Sequence, residues 1–334
     1  MDDLRLTYIV PVYNTEAYVL RCLQSLVNQG IPEEDYEIIV VDDGSTDGGR
    51  DLVKAFAGEH KQVRFFEQAN AGVSVARNEA LDKARGCYIQ FVDSDDFLEF
   101  NVMEPLLNRA ISLDVDALVF NYKPVDINGK DCPHSREDYA PSSGVMTGVE
   151  YLHTHVMTPY IWRFLLRRDF LNQQPWRFDP SLLVCEDGAL IAQMLLKASH
   201  VAHDEATPYR YMRRDDSAMH NQDVMHLRRR LFSQVDAAFS IHETIREYEA
   251  QTGMKSPASV AGLRNVYLFF AMTKALACGI VGDVLQRIRR YGLYPFPCVG
   301  PESNYYGKKW KAIHALMMHP VLWKLASRIY RLIK

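Results

Sequence analysis

The stretch "FVDSDDF" puts Asp93, Asp95 and Asp96 within four residues, directly behind the apolar run "CYIQFV". Asp93 and Asp95 are two apart, so near the end of a strand they project to the same side. Two ionised carboxylates ~4–5 Å apart repel by roughly 3–4 kcal/mol at an effective dielectric near 20. A turn that also caps the helix after Asn101 is the ordinary reason for an Asp-x-Asp, but it does not offset that repulsion. A hard divalent cation does. Mg²⁺ or Mn²⁺ takes one or two carboxylates and completes its shell with phosphate oxygens and water, so the cluster points to a bound diphosphate.

A second acidic pair, Asp42 and Asp43, ends the run "EIIVV" in "VVDDGSTD". Such a pair repels phosphate and instead suits a ligand that donates, such as the imide of uracil or thymine or the hydroxyls of a ribose. Ser45 to Asp47 fit the capping of the following helix. Tyr13, in "PVYN", could stack on a base, although a tyrosine there is more often packing. Glu186 and Asp187 open a predicted helix, where the macrodipole is the common structural reason for acids. Neither G-x-G-x-x-G after the first strand nor G-x-x-x-x-G-K-[ST] occurs, which argues against dinucleotide and P-loop phosphate cradles.

The elements that must position these residues alternate through the first 120 positions. Apolar strands are predicted at 6–10, 37–41, 63–66, 88–92 and 116–120. Helices are predicted at 15–28, around 52–57, at 73–84 and near 102–113. This pattern predicts an α/β fold with a mostly parallel sheet covered by helices on both faces. Ligands bind beyond the carboxyl ends of such strands, where "PVYN", "DDGSTD", "EQANAG" and "DSDD" all fall. Residues 123–145 read as a loop or short hairpin, 201–220 as a strand, a proline turn and a basic loop, and the chain from Val224 onward as helical. Trp162 suits either the core or an acceptor platform.

The net charge of −4 hides an asymmetry. From Tyr305 to Lys334 there are seven basic residues and no acid, leaving 31 basic against 42 acidic residues elsewhere, a balance of −11. This cationic, amphipathic end suits either a helical lobe packed on the acidic remainder or an interfacial segment drawn to anionic lipid; we lean to the lipid. The six cysteines show no Cys-x-x-Cys pair, and no apolar run reaches membrane-spanning length. The expected location is cytoplasmic, peripheral to the inner face of the cell membrane, with no nucleic-acid partner.

"YIVPVYNTEAYVLRCLQSLVNQ", "EIIVVDDGSTD", "NAGVSVARNEAL" and "GCYIQFVDSDDFL" together resemble the successive motifs of the family 2 glycosyltransferases, which have the GT-A fold. The resemblance is strong over 6–122 and weaker to about 220, through "PYIWRFLLRRDFL" and "CEDGAL". It implies a GT-A catalytic domain at 1–220, followed by a helical region at 221–334. It also implies inverting transfer of one sugar from a nucleotide diphosphate sugar, UDP-linked by preference, to a glycan or lipid-linked acceptor in surface polysaccharide assembly. Pro11 and Tyr13 would flank the base, Asp43 would accept from the imide with Asp42 in support, and Asn70, Gly72 and Arg77 would line the nucleotide pocket. Asp93 would face ribose or donor sugar and stand beside the metal ligand Asp95. Asp187 would be the general base, with Glu186 second. Arg213, Arg214, Ser217 and His220 would cover the diphosphate. The Q-x-x-R-W motif of processive members is absent. The rival readings are a nucleotidyltransferase, which should carry a Gly-rich basic loop after its first strand, and an inactive nucleotide-sugar-binding scaffold.

Overall fold

The structure, a computed structural model, describes residues 4–133, 140–174, 176–214, 224–298, 300, 307–319 and 321–323. The chain divides into two compact units. The first comprises Met1–Tyr151, Tyr160–Pro180 and Lys197–Asp215, and the second Leu152–Pro159, Ser181–Leu196 and Asp216–Lys334.

The first unit is built on eight strands: β1 (Leu6–Val12), β2 (Tyr36–Asp42), β3 (Val63–Glu67), β4 (Tyr88–Phe91), β5 (Phe97–Leu98), β6 (Ala117–Val125), β7 (Phe164–Arg167) and β8 (Val201–Met212). They lie in the order β3-β2-β1-β4-β7-β6-β8-β5. β1, β2, β3 and β4 pair in parallel, and every residue of β1 and β2 is buried, as expected of strands covered on both faces. The helices connecting them are α1 (Val19–Leu26), α2 (Gly49–Glu59) and α3 (Val73–Lys83), with α4 (Met103–Ser112) before β6. On α1 the stripe Val19, Cys22, Leu23 and Leu26 is buried, the spacing that the sequence pattern predicts. Because Val12 is level with Asp42, and Asp42 with Glu67, these strands end together at one edge.

The opposite edge is closed by a buried carboxylate. Glu37, near the start of β2 and 1% exposed, accepts from Thr7 Oγ1 at 2.9 Å, the Arg85 backbone N–H at 2.7 Å, Arg85 Nε at 2.9 Å and Arg64 Nη1 at 2.7 Å. Burial alone would raise its pKa, but these donors prevail and hold it below the usual glutamate value.

Two sequence expectations for this unit change. β7 runs antiparallel between β4 and β6, so the parallel series is interrupted there. Pro208 does not end a strand: β8 continues to Met212, and β6 runs past Tyr122 to Val125 beside it, with a register shift between Phe120 and Tyr122. Pro208 sits in the stretch where that register slips, so its missing N–H breaks no ladder pairing.

The second unit carries α7 (Glu186–Leu195), α8 (Val224–Thr252), α9 (Ala258–Cys278), α10 (Val281–Arg290) and α11 (Lys308–Met317); α5 (Gly148–Thr154) and α6 (Arg168–Asn172) complete the series. Residues 181–196, which precede the expected boundary at 220, group with the later helices. The reason is local: Ser233 of α8 offers its Oγ to the backbone N–H groups of Leu183 and Val184 at 2.7 and 3.1 Å, and α7 packs on α8. An ion pair between Arg287 and Asp236, with both oxygens at 2.6 Å, ties α10 to α8. In α11 Met317 is fully buried, and Trp310 meets Phe269 edge-on at 5.6 Å. The start of the cationic tail is thus packed on α9. No helix among the described residues is long and apolar enough to cross a membrane.

Candidate functional site

The joints after β1, β2 and β3 are fastened to one another. Asn14 takes a left-handed conformation (φ 51°); its N–H donates to Ser45 Oγ at 3.0 Å, and its Oδ1 accepts from the Thr46 N–H at 2.8 Å. Pro11 is buried within β1, whereas Tyr13, two residues on, is 49% exposed. The two acids after β2 do different work. Asp43 accepts at Oδ1 from Gln68 Nε2 and the Ala71 N–H, both at 2.7 Å, and at Oδ2 from the Gly72 N–H at 2.8 Å. It therefore organises the loop that carries Asn70 and Gly72. Gly44 (φ 74°) completes this joint, since a Cβ there would stand 2.9 Å from the Asn70 nitrogen. Asp42 is 1% exposed and accepts only the Ser45 N–H, at 3.1 Å on Oδ2; its Oδ1 is buried with no hydrogen-bond partner among the described residues. Of the two, Asp42 keeps the spare acceptor.

The three carboxylates after β4 also separate by role. Asp96, 2% exposed, accepts from Tyr209 Oη at 2.8 Å and from the Met212 N–H at 2.7 Å, which ties the far end of β8 to this joint. Tyr209 Oη in turn accepts from the Asp93 N–H at 3.1 Å. Asp93 Oδ1 pairs with Arg77 Nη2 at 2.9 Å, and the Arg77 guanidinium lies 5.1 Å from the Phe178 ring centre. Asn78 fixes Phe178 by exchanging two hydrogen bonds with its backbone, at 2.9 and 2.8 Å. Asp95 Oδ2 stands 2.8 Å from Arg214 Nε, and the same guanidinium lies 5.0 Å from the Tyr18 ring centre. Burial pushes the Asp96 carboxyl well up, assisted by Asp95 and Asp93. Burial, then the Asp93 charge, raises Asp95 against the opposing pull of Arg214.

That electrostatic imbalance is the test of fit for a cation. No group of three or more His, Cys, Asp or Glu side chains among the described residues is arranged to hold a metal. Asp95 with Asp93 beside it nonetheless suits an ion that takes one or two carboxylates and leaves its other positions to phosphate and water. Burial and the neighbouring Asp93 charge, which together disfavour the Asp95 carboxylate, are what such an ion would offset.

The first unit thus gathers Pro11, Tyr13, Asp42, Asp43, Asn70, Gly72, Arg77, Asp93, Asp95 and Arg214 at the carboxyl edge of its sheet. The Arg213 N–H donates to the Val125 carbonyl at 2.8 Å, a sheet contact. Ser217 and His220 lie outside the described residues. Glu186 and Asp187 stand in the first turn of α7, in the second unit, with Asp187 9% exposed. Trp162 is core: it is 3% exposed and stacks on Tyr160 at 5.0 Å and Tyr209 at 4.2 Å. Sequence reasoning missed Tyr209, Asn78 and Phe178. Tyr209 left a trace in the period-2 pair Tyr209 and Tyr211 of "YRYM", and Asn78 stands in the motif "NAGVSVARNEAL" without a role assigned to it.

Comparison with known proteins bears on the fold and the family. The family model described as Glycosyl transferase family 2 matches residues 7–177, just over half of the chain. The uncharacterized glycosyltransferase YibD of Escherichia coli (strain K12) is 30% identical over 233 residues, 67% of this chain and 64% of that protein. The poly(ribitol-phosphate) beta-glucosyltransferase of Bacillus spizizenii is 29% identical over 216 residues, 64% of this chain and 33% of that protein. The chain therefore spans less than two thirds of the length of either relative. Among solved structures, S. aureus TarS 1-349 in complex with UDP-GlcNAc superposes with a TM-score of 0.69 at 20% identity, over 99% of this chain and 93% of that one. The fold is thus the GT-A fold that the motifs imply.

Proposed function

Because the chain belongs to glycosyl transferase family 2, we propose that it transfers one sugar, with inversion, from a nucleotide diphosphate sugar to a hydroxyl of a glycan or lipid-linked acceptor. UDP is the preferred nucleotide, and surface polysaccharide assembly the preferred setting. The observation that carries the reading is the buried Asp42 Oδ1, which has no hydrogen-bond partner among the described residues, level with Val12 and so one residue from the exposed ring of Tyr13, on the same sheet edge as Asp95. The solved TarS complexes with UDP and UDP-GlcNAc support the donor class. The name of the Bacillus spizizenii relative supports a polymer-linked acceptor.

In this mechanism Tyr13 stacks on the base and Asp42, rather than the Asp43 that the motifs imply, accepts from its imide, because the Asp43 oxygens already accept from Gln68, Ala71 and Gly72 and keep the 68–72 loop in place. Asp93, oriented by Arg77, faces the ribose or the sugar. Asp95 and Asp93 would hold a divalent cation, Mn²⁺ or Mg²⁺, which stabilises the departing diphosphate when bound. Arg214, now paired with Asp95, adds a second positive charge on the diphosphate side. Asp187, or Glu186 in second place, takes the proton of the acceptor hydroxyl as that oxygen attacks the anomeric carbon. A thermal-shift panel of UDP, TDP, GDP and CDP with and without Mn²⁺ tests the reading. Metal-dependent stabilisation by one diphosphate is expected, and a flat response to all four overturns it.

The reading extends to the cytoplasmic face of a membrane. The acid-free tail and the exposed Val321 and Leu322 support it. Replacing Lys308, Lys309 and Lys311 by Gln should weaken sedimentation with phosphatidylglycerol vesicles; unchanged sedimentation removes the membrane from the proposal.

A further inference from the structure

Three costly local features meet at the turn that carries Asp187. Cys185, the residue before α7, is held in the left-handed region (φ 66°), where a non-glycine residue is strained, and its side chain makes no capping hydrogen bond. Gly188 has no side chain where one would collide: a Cβ there would come 2.1 Å from Tyr267 Oη, and 3.1 Å from both Leu263 Cδ2 and Pro159 Cβ. Tyr267 itself, on α9, is 5% exposed, yet its hydroxyl has no nitrogen or oxygen partner among the described residues. Its hydrogen-bonding neighbour is the Cys185 thiol, a weak one.

A packing role alone would favour phenylalanine at this position, because a buried hydroxyl without a good partner is unfavourable. We infer that Tyr267 is a positioning residue for the acid pair at the start of α7: its hydroxyl, seated in the notch left by Gly188 and against Cys185, fixes the turn that carries the Asp187 carboxylate. The inference rests on the reading of Asp187 as the base. In the transfer step the proton passes from the acceptor hydroxyl to Asp187, and Tyr267 neither gains nor loses one. Burial, with the Cys185, Asp187 and Glu186 charges nearby, pushes the phenol's pKa far up and keeps it neutral. The groups whose charge reaches this turn are Cys185, Glu186 and Asp187 from α7 and its cap, Arg230 from α8 and Tyr267 from α9.

The experiment uses the full chain with Mn²⁺ and follows UDP release from UDP-glucose, UDP-galactose and UDP-N-acetylglucosamine, with water as acceptor. The fastest of the three then serves for the variants. Tyr267→Phe should leave the melting temperature unchanged or higher and leave the donor KM unchanged. It should lower kcat about ten- to a hundredfold, the scale of a misplaced catalytic group, and shift the acid limb of the kcat–pH profile. Gly188→Ala should lower kcat at least as much. Adding Tyr267→Phe to it should recover part of the lost melting temperature without recovering kcat, since the clash is relieved and the positioning contact is still missing. If the wild type turns over a donor while Tyr267→Phe keeps its kcat and pH profile, Tyr267 is packing only and the inference falls alone. If the wild type turns over none of the three, the preference for a UDP-sugar falls and takes the inference with it.

Discussion

Glu37 and Asp96 are both carboxylates with almost no exposed surface, at opposite edges of one sheet, and their environments push them in opposite directions. Glu37 collects donors from Thr7, Arg64 and Arg85 and is held below the usual glutamate range. Among the described residues Asp96 has only a phenol and one backbone N–H; it stands beside Asp95 and Asp93 and is pushed well above the usual aspartate value. Both edges bury charge; at the amino edge two arginines serve the one carboxylate Glu37, whereas at the carboxyl edge Arg77 and Arg214 are shared among three. A matched buried charge has no capacity left for a ligand, so its contribution is to stability. The carboxyl edge keeps unmet acceptors and unrelieved repulsion, which a donor and a cation can complete.

The strongest way to break this contrast is at the matched end. Glu37→Ala leaves Arg64 and Arg85 without their buried partner, and losing one side of such a pair costs about 3–5 kcal/mol. We expect about 3, since Arg85 is 60% exposed and Arg64 31%, so water resolvates both. Urea unfolding measures it, and a loss under about 1 kcal/mol would mean that the amino edge is not the anchor. Asp95→Asn should move stability the other way or not at all, by about 1 kcal/mol at most, because burial and Asp93 already disfavour its charge. The same variant should lose metal-dependent stabilisation by the nucleotide. A large destabilisation by Asp95→Asn would show that its Arg214 pair is structural and the two edges alike.

Titration sharpens the contrast further. Glu37 has a lowered folded pKa, so its contribution is present above the unfolded glutamate value of about 4.3 and is lost as pH falls through the folded one. Asp95 and Asp96 have raised folded pKa values. Between the unfolded value of about 3.9 and the folded ones the native state binds the extra protons, so their unfavourable contribution shrinks as pH falls from neutrality. Stability should therefore hold or rise on mild acidification, then drop below about pH 4. Glu37→Gln should flatten the drop, and Asp95→Asn the rise. A single monotonic fall from pH 7, unchanged by either variant, would contradict both assignments.

Much of the parallel half of the sheet was legible because its signals are local: apolar strands, amphipathic helices, and polar joints that parallel connections carry to one edge. What escaped depends on partners distant in sequence. Tyr209 reaches Asp96 across 113 residues, and Asn78 reaches Phe178 across 100. No pattern around Asp96 announces a phenol, so the sequence showed that acids cluster there without showing which one is tied to β8. Pro208 misled for a related reason, since a proline normally ends pairing and here falls where the β6–β8 register shifts. The grouping of α7 with α8 was hidden because contiguity in sequence suggested the first unit, whereas Ser233 settles it from fifty residues away.

The smallest effect on stability is also the most pointed. Tyr13 is half-exposed at the carboxyl edge, so removing its ring should change the unfolding free energy by no more than about 0.5 kcal/mol, the usual range for a surface site. If the edge is functional, Tyr13→Ala should still weaken nucleotide binding about five- to tenfold, since stacking contributes about 1 kcal/mol. Titration calorimetry with UDP and Mn²⁺, beside urea unfolding, reads both quantities. Affinity lost without stability lost is the reverse of what Glu37→Ala should give, where the fold weakens with no ligand involved. If Tyr13→Ala instead weakens folding and leaves nucleotide affinity intact, Tyr13 belongs with the matched edge, and the base must be held by something other than this ring.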